Sequence, residues 1–125
     1  MLADSPAFSG FSVRDTEAAR TFYAETLGVR TEDGDWGMFT LKLAGGRDIL
    51  VYPSPGHVPG SYTVLNFPVP DIDAAVDELT SRGVEFERYD GPDMSTDEKG
   101  VNRSGGPLIA WFKDPSGNVL SVIEQ

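Results

Sequence analysis

The stretch FSVRDTEAA at positions 11–19 returns 56 positions later as FPVPDIDAA at positions 67–75. Phe, Val, Asp and the Ala-Ala pair recur in register, with an acid (Glu17 or Asp73) two positions after the shared Asp. Each copy reads as a short strand with Phe and Val on one face, running into a helix. Asp15 and Asp71 are good N-caps, because a carboxylate there accepts the unpaired N–H groups of a first helical turn. Glu17 and Asp73 place negative charge at the positive end of the helix dipole. A duplicated unit is the economical reading.

Outward from the repeat, Ala19, Phe22, Tyr23 and Thr26 keep the i, i+3, i+4, i+7 spacing of an amphipathic helix. A helix is expected over 16–27, closed by Gly28. Ile72, Ala75, Val76 and Leu79 keep the same spacing, so a second is expected over 72–82, closed by Gly83. Three strand-like segments follow each helix: 29–32, 36–43 and 48–53, then 84–89, 108–113 and 118–124. Each half is β-α-β-β-β, and the class is α+β. The halves span about 7–53 and 62–124 of a single domain over 1–125, joined by the Pro- and Gly-rich linker 54–61. The turns Ala44-Gly45-Gly46-Arg47 and Asp114-Pro115-Ser116-Gly117-Asn118 correspond, the second permitting positive φ at Gly and Asn. The polar segment 90–106, with four glycines, is expected to be a partly mobile loop near a site mouth.

Composition narrows the function. The formal net charge is −10, from 20 acidic and 10 basic residues. Such a chain repels phosphate backbones and has no basic stripe, so nucleic acid is not an expected partner. The absence of cysteine excludes disulfides, cysteine nucleophiles and thiolate metal sites. No apolar run approaches the roughly 18 residues that span a bilayer, and MLADSPAFSG does not read as a secretory signal. No membrane partner is expected, and a cytoplasmic location is the default.

Alternation separates the faces of the strands. Phe11, Val13, Leu65, Phe67, Val69, Phe39, Leu41 and Leu43 are expected to meet the helices. The opposite face then collects Phe8, Trp36, Met38, Val51, Val64, Asn66, Ile109, Trp111 and Ser121. Large apolar and aromatic groups with a few neutral polar ones are the usual lining of a small-molecule pocket. The same residues also suit a second core between two sheets, and both readings stand at this stage.

The runs SVRDTEAARTFYAETLGV (12–29), VPDIDAAVDELTSRGV (69–84) and FKDPSGNVLSVIE (112–124), in this order, resemble the vicinal oxygen chelate superfamily. That superfamily includes glyoxalase I, extradiol dioxygenases, fosfomycin-modifying enzymes and bleomycin-resistance proteins. The resemblance covers nearly the whole chain. It implies two modules forming a U-shaped mixed sheet around a cleft, paired in a homodimer. Metal-using members hold their cation at four strand positions. Those positions fall here at Phe8, Val64, Ser121 and, to within one residue, Val51. None of these is a ligand for a divalent cation, which takes imidazole and carboxylate. No metal and no other cofactor is expected.

Other chemistries have thin support. His57, the sole histidine, sits in the linker and reads as a surface residue. Ser121 has no histidine in its strand environment to act as base. Asp97, Glu98 and Lys99 read as solvated loop charges. The leading expectation is a metal-independent protein that binds a hydrophobic or aromatic compound in an apolar cleft, for resistance or sequestration, with Trp36 and Trp111 as stacking platforms. The alternative is a glyoxalase-like lyase, isomerase or dioxygenase acting on a small oxygenated metabolite, with Glu98 or Tyr52 as a base in a metal-free version.

Overall fold

Both repeat copies start their helices on the expected aspartate. Asp15 has extended backbone (φ −134°, ψ 108°), and its Oδ1 accepts hydrogen bonds from the N–H groups of Glu17 at 3.0 Å and Ala18 at 3.2 Å. Asp71 repeats that backbone (φ −142°, ψ 108°) and accepts from Ala74 N at 3.1 Å. In the second copy Glu124 Oε2 also accepts from Ile72 N at 2.9 Å, tying the last strand to the helix start. The computed structural model describes residues 1–125. They form two compact units, Met1–His57 and Val58–Gln125.

The first unit contains β1 (Ser9–Val13), α1 (Thr16–Thr21), β2 (Arg30–Asp33), β3 (Phe39–Leu43) and β4 (Arg47–Pro53). Its sheet order is β1-β4-β3-β2, with β1 parallel to β4 and the other pairs antiparallel. α1 continues into a π-helical turn over Phe22–Thr26 and stops at Gly28, whose φ is 72°. Tyr23, in that turn, is buried with its ring 6.0 Å from that of Phe11. Val13, Ala19, Phe39, Leu41 and Val51 complete the core under the helix. Gly45 and Gly46 take φ of 81° and 71° in the turn from β3 to β4, backbone that side-chain-bearing residues resist.

The second unit contains β5 (Thr63–Val69), α2 (Ile72–Ser81), β6 (Val101–Asn102), β7 (Ile109–Lys113) and β8 (Val119–Glu124). The order β5-β8-β7-β6 repeats that of the first unit. Ile72, Val76, Val101, Ala110, Phe112, Leu120 and Val122 are buried between sheet and helix. The turn before β8 is built on buried Asp114, whose carboxylate accepts from Ser116 N, Asn118 N and Asn118 Nδ2 at 2.9–3.0 Å. Only Gly117 of that turn has positive φ, 88°; Asn118 does not share it.

Two strand expectations are corrected. The segment 36–43 is a strand only from Phe39, because Trp36 (φ 56°) and Gly37 (φ 76°) turn the chain. The segment 84–89 is not a strand of its own. Phe86 bridges Phe112 and Glu87 N donates to Trp111 O, after which the chain leaves the edge of β7; β6 later pairs with Ala110 and Ile109. The edge is thus shared by two short segments.

The excursion between them is organised. Asp97 Oδ1 accepts from the N–H groups of Lys99 and Val101 at 2.9 Å, and Oδ2 pairs with Arg103 Nε at 2.9 Å. Lys99 reaches Asp77 (2.9 Å) and Asp73 (3.2 Å) on α2, and Arg103 reaches Asp73 (2.6 Å). Partial burial works to raise the Asp97 pKa. The bonds from Arg103, Val101 and Lys99 outweigh it and hold the carboxyl below its ordinary value. The hydrogen bond from Lys99, with the Arg103 charge, lowers that of Asp73. Of the residues read as solvated loop charges, Lys99 straps this segment to α2 together with Arg103, and Asp97 braces it from within. Gly100 (φ 93°) is pressed against the edge: a Cβ there would lie 2.8 Å from Phe86 Cβ and 3.1 Å from Glu87 O.

Candidate functional site

Residues directly opposed on neighbouring strands project to the same side of a sheet. In the second unit Ser121 lies opposite Asn66 on β5 and opposite Trp111 on β7. The three form one row across the face turned away from α2. Ser121 is fully buried, and its hydroxyl lies 2.5 Å from Asn66 Oδ1. Trp111 donates from Nε1 to Thr63 Oγ1 at 3.1 Å and meets Tyr89 edge-on, the ring centroids 5.7 Å apart. Ile109 and Ile123, opposite each other, form the next row on this face. Thr63 was not among the sequence candidates. The signal for Thr63 is an irregularity of β5 that alternation does not reveal.

That irregularity relocates Val64. Thr63 pairs with Val119 and Leu65 with Leu120, so β5 carries one extra residue between them. Val64 is the extra residue of a β-bulge, and Thr63 takes the ladder position.

In the first unit the register corrects Val51. It lies opposite Phe11 and Phe39, fully buried on the side of α1. Leu50 instead lies opposite Gly10 and Thr40, as Ser121 lies opposite Asn66 and Trp111. The counterpart of Ser121 is therefore Leu50, one residue from the sequence assignment. Phe8 precedes β1 and is 72% exposed, beside an open depression of about 560 Å³ that Arg47, Asp48 and Ile49 also line. Trp36 is 85% exposed on its turn, and Met38 is half-buried next to β3.

Whether a metal fits is decided by donor chemistry. Phe8, Leu50, Val64 and Ser121 offer no imidazole and no carboxylate. No three His, Asp or Glu side chains stand together as a cation site elsewhere. The divalent cation of the metal-using relatives does not fit these residues.

His57 departs from the reading of a plain surface residue. It is half-buried, with Nδ1 2.7 Å from Ser12 Oγ. β1 and β4 are parallel neighbours, so the chain leaving β4 runs beside the end of β1. A turn held by His57 N to Ser54 O brings the imidazole back to Ser12. The histidine thus meets Ser12 rather than Ser121. A second depression of about 440 Å³ lies by α2, floored by Val76, Val84 and Phe86 and rimmed by charged groups. No helix is long and apolar enough to cross a membrane.

The profile of the family described as Glyoxalase/Bleomycin resistance protein/Dioxygenase superfamily matches residues 8–122. Among solved structures, a member of that superfamily from Sphaerobacter thermophilus is 25% identical, covering 95% of this chain and 97% of its own, with a TM-score of 0.66. TnmS3, an antibiotic binding protein from Streptomyces sp. CB03234, is 25% identical over 97% of each chain, with a TM-score of 0.65. The fosfomycin resistance protein FosX from Listeria monocytogenes shares the fold at 12% identity, over 98% of this chain and 93% of its own, with a TM-score of 0.71. No curated protein matches the chain.

Proposed function

Because the chain belongs to the Glyoxalase/Bleomycin resistance protein/Dioxygenase superfamily, we propose that it is a metal-independent small-molecule-binding protein. It holds a hydrophobic or aromatic compound against an apolar sheet face, for resistance or sequestration. The observation that carries this reading is the Asn66–Ser121–Trp111 row, which sets an amide and an indole on either side of a neutral hydroxyl, at the one position of the row where metal-using relatives would place a ligating carboxylate. Ile109 extends the surface, and Thr63 and Tyr89 hold Trp111 in place. The likeness to an antibiotic-binding protein, at 25% identity, supports a drug-like ligand. Phe8, Trp36 and Tyr62 are large apolar groups left exposed, and the proposal includes a homodimer that covers some of them.

The test combines metal analysis of protein purified without chelator with a fluorescence titration by a flat aromatic hydrocarbon such as fluorene. The reading expects no stoichiometric nickel, zinc or iron, and saturable quenching of the tryptophan emission with the same midpoint before and after chelator treatment. Stoichiometric metal, or quenching that chelation abolishes, overturns it.

A second reading has one observation in its favour. The Ser12–His57 pair at 2.7 Å is a hydroxyl beside a potential base, the geometry acid–base chemistry uses. It supports a glyoxalase-like lyase or isomerase working from the first unit. Turnover of a small oxygenated substrate that is lost in His57→Gln would favour this reading over binding alone.

A further inference from the structure

We infer that Asn66 is a specificity residue that selects ligands bearing a hydrogen-bond acceptor, a planar aromatic carbonyl compound above all, and that Ser121 is the residue that positions it. The inference rests on the binding reading above and concerns the same face.

A side-chain amide presents either its carbonyl or its NH2 group to a ligand, depending on which end the protein occupies. Here the protein occupies the carbonyl end. Ser121 sits on β8, between β5 and β7, so its backbone groups are engaged by pairing on both sides. Its buried hydroxyl proton needs an acceptor, and Asn66 Oδ1 at 2.5 Å supplies one. With the amide reversed, two NH2 protons would face a hydroxyl whose own proton had lost its acceptor. The bond therefore leaves Nδ2 of Asn66 as the outward end. Asn66 is exposed, and no other group holds that nitrogen.

The neighbouring donor is already used. Trp111 Nε1 is committed to Thr63 Oγ1, so the indole offers its ring surface rather than its N–H. Asn66 and Trp111 stand two strand spacings apart, about 10 Å at the backbone. A system of two or three fused rings spans that distance. The face thus supplies one aromatic platform and one outward donor, and no outward acceptor within the row. It favours a flat ring system carrying a carbonyl over one carrying an N–H.

Three tricyclic probes of nearly the same shape separate the possibilities: 9-fluorenone offers an acceptor, carbazole a donor and fluorene neither. Trp36→Phe leaves Trp111 as the only tryptophan of the two in the chain, so its emission reports the titration. Fluorenone is expected to bind about three- to tenfold more tightly than fluorene, the worth of one net hydrogen bond, and carbazole no more tightly than fluorene. Asn66→Leu should erase the fluorenone preference, and Asn66→Asp, which keeps the shape and loses the donor, should reverse it. Ser121→Ala should lower the preference, read as the ratio of the fluorenone and fluorene midpoints within that variant, to within about twofold, because the amide is then free to turn. Equal binding of all three probes, or tightest binding of carbazole, overturns the role of Asn66 and leaves the binding surface standing. Failure of all three to quench saturably overturns the surface and the inference with it.

Discussion

The two units are copies of one plan that differ in two places. In the first, the strand after the helix is a plain four-residue edge, β2, running straight on from the helix cap. In the second, that edge is divided between the Phe86 bridge and β6, and the excursion between them is strapped to α2 by Lys99 and Arg103 and braced by Asp97. The faces turned away from the helices differ as well. Gly10, Leu50 and Thr40 make a bland row, whereas Asn66, Ser121 and Trp111 make one with an amide, a hydroxyl and an indole. The comparison teaches that the helix-side core carries the fold in both copies. The polar and aromatic side chains that set the second copy apart are gathered on its other face.

Gly100→Ala is the sharpest way to break the second unit alone. The new Cβ would meet Phe86 Cβ at 2.8 Å and backbone at 3.1 Å, in a left-handed conformation an alanine resists. A loss of about 3 kcal/mol is expected in chemical denaturation. Gly46→Ala in the first unit also has positive φ but meets nothing within 4 Å, so it should cost only about 1 kcal/mol. Equal losses would mean that the strap does not press on the edge.

Asp97→Ala removes the acceptor of two backbone N–H groups and the partner of Arg103, and should cost about 2 kcal/mol. Amide exchange should quicken at Val101 and at Lys99 while β2 is unchanged. The acid response follows from the same group. Its pKa is depressed in the folded protein, so its contribution is complete above the ordinary value of 3.8 and is lost as pH falls through the lower folded value. Asp73 behaves the same way, so amide protection in the strap, relative to the intrinsic exchange rate, should fall below about pH 3.8, ahead of protection in β2.

The smallest effect concerns the turn before β3. Trp36 holds φ 56° with its side chain exposed, a conformation glycine adopts freely. Trp36→Gly should stabilise the first unit by about 0.5 kcal/mol, read as a rise in thermal midpoint, once the unfolded-state entropy of glycine is subtracted.

Much of the fold is legible in the sequence, because the repeat, the aspartate caps and the glycine stops act locally. Register is harder to read. The two hairpins have equal length, with Lys42 opposite Asp48 and Lys113 opposite Val119, and pairing carried through them makes Leu50 the counterpart of Ser121. Choosing Val51 is a one-residue slip, and in a strand that exchanges the faces. The bulge at Val64 leaves no composition signal. The strap depends on charges that α2 brings to the loop, which a window along the chain cannot see. The meeting of His57 with Ser12 depends on β1 and β4 being parallel neighbours, a fact of topology rather than of local sequence.

The central claim is that the face of the second unit turned away from α2 is the binding surface. A titration of 15N-labelled protein with 9-fluorenone tests it most directly. The account predicts that the Asn66 side-chain NH2 and the Trp111 indole N–H resonances shift together and saturably, with those of Thr80 and Phe86 beside α2 and of Ile49 near Phe8 unmoved. Saturable shifts confined to either of those two depressions, with Asn66 and Trp111 silent, would contradict it.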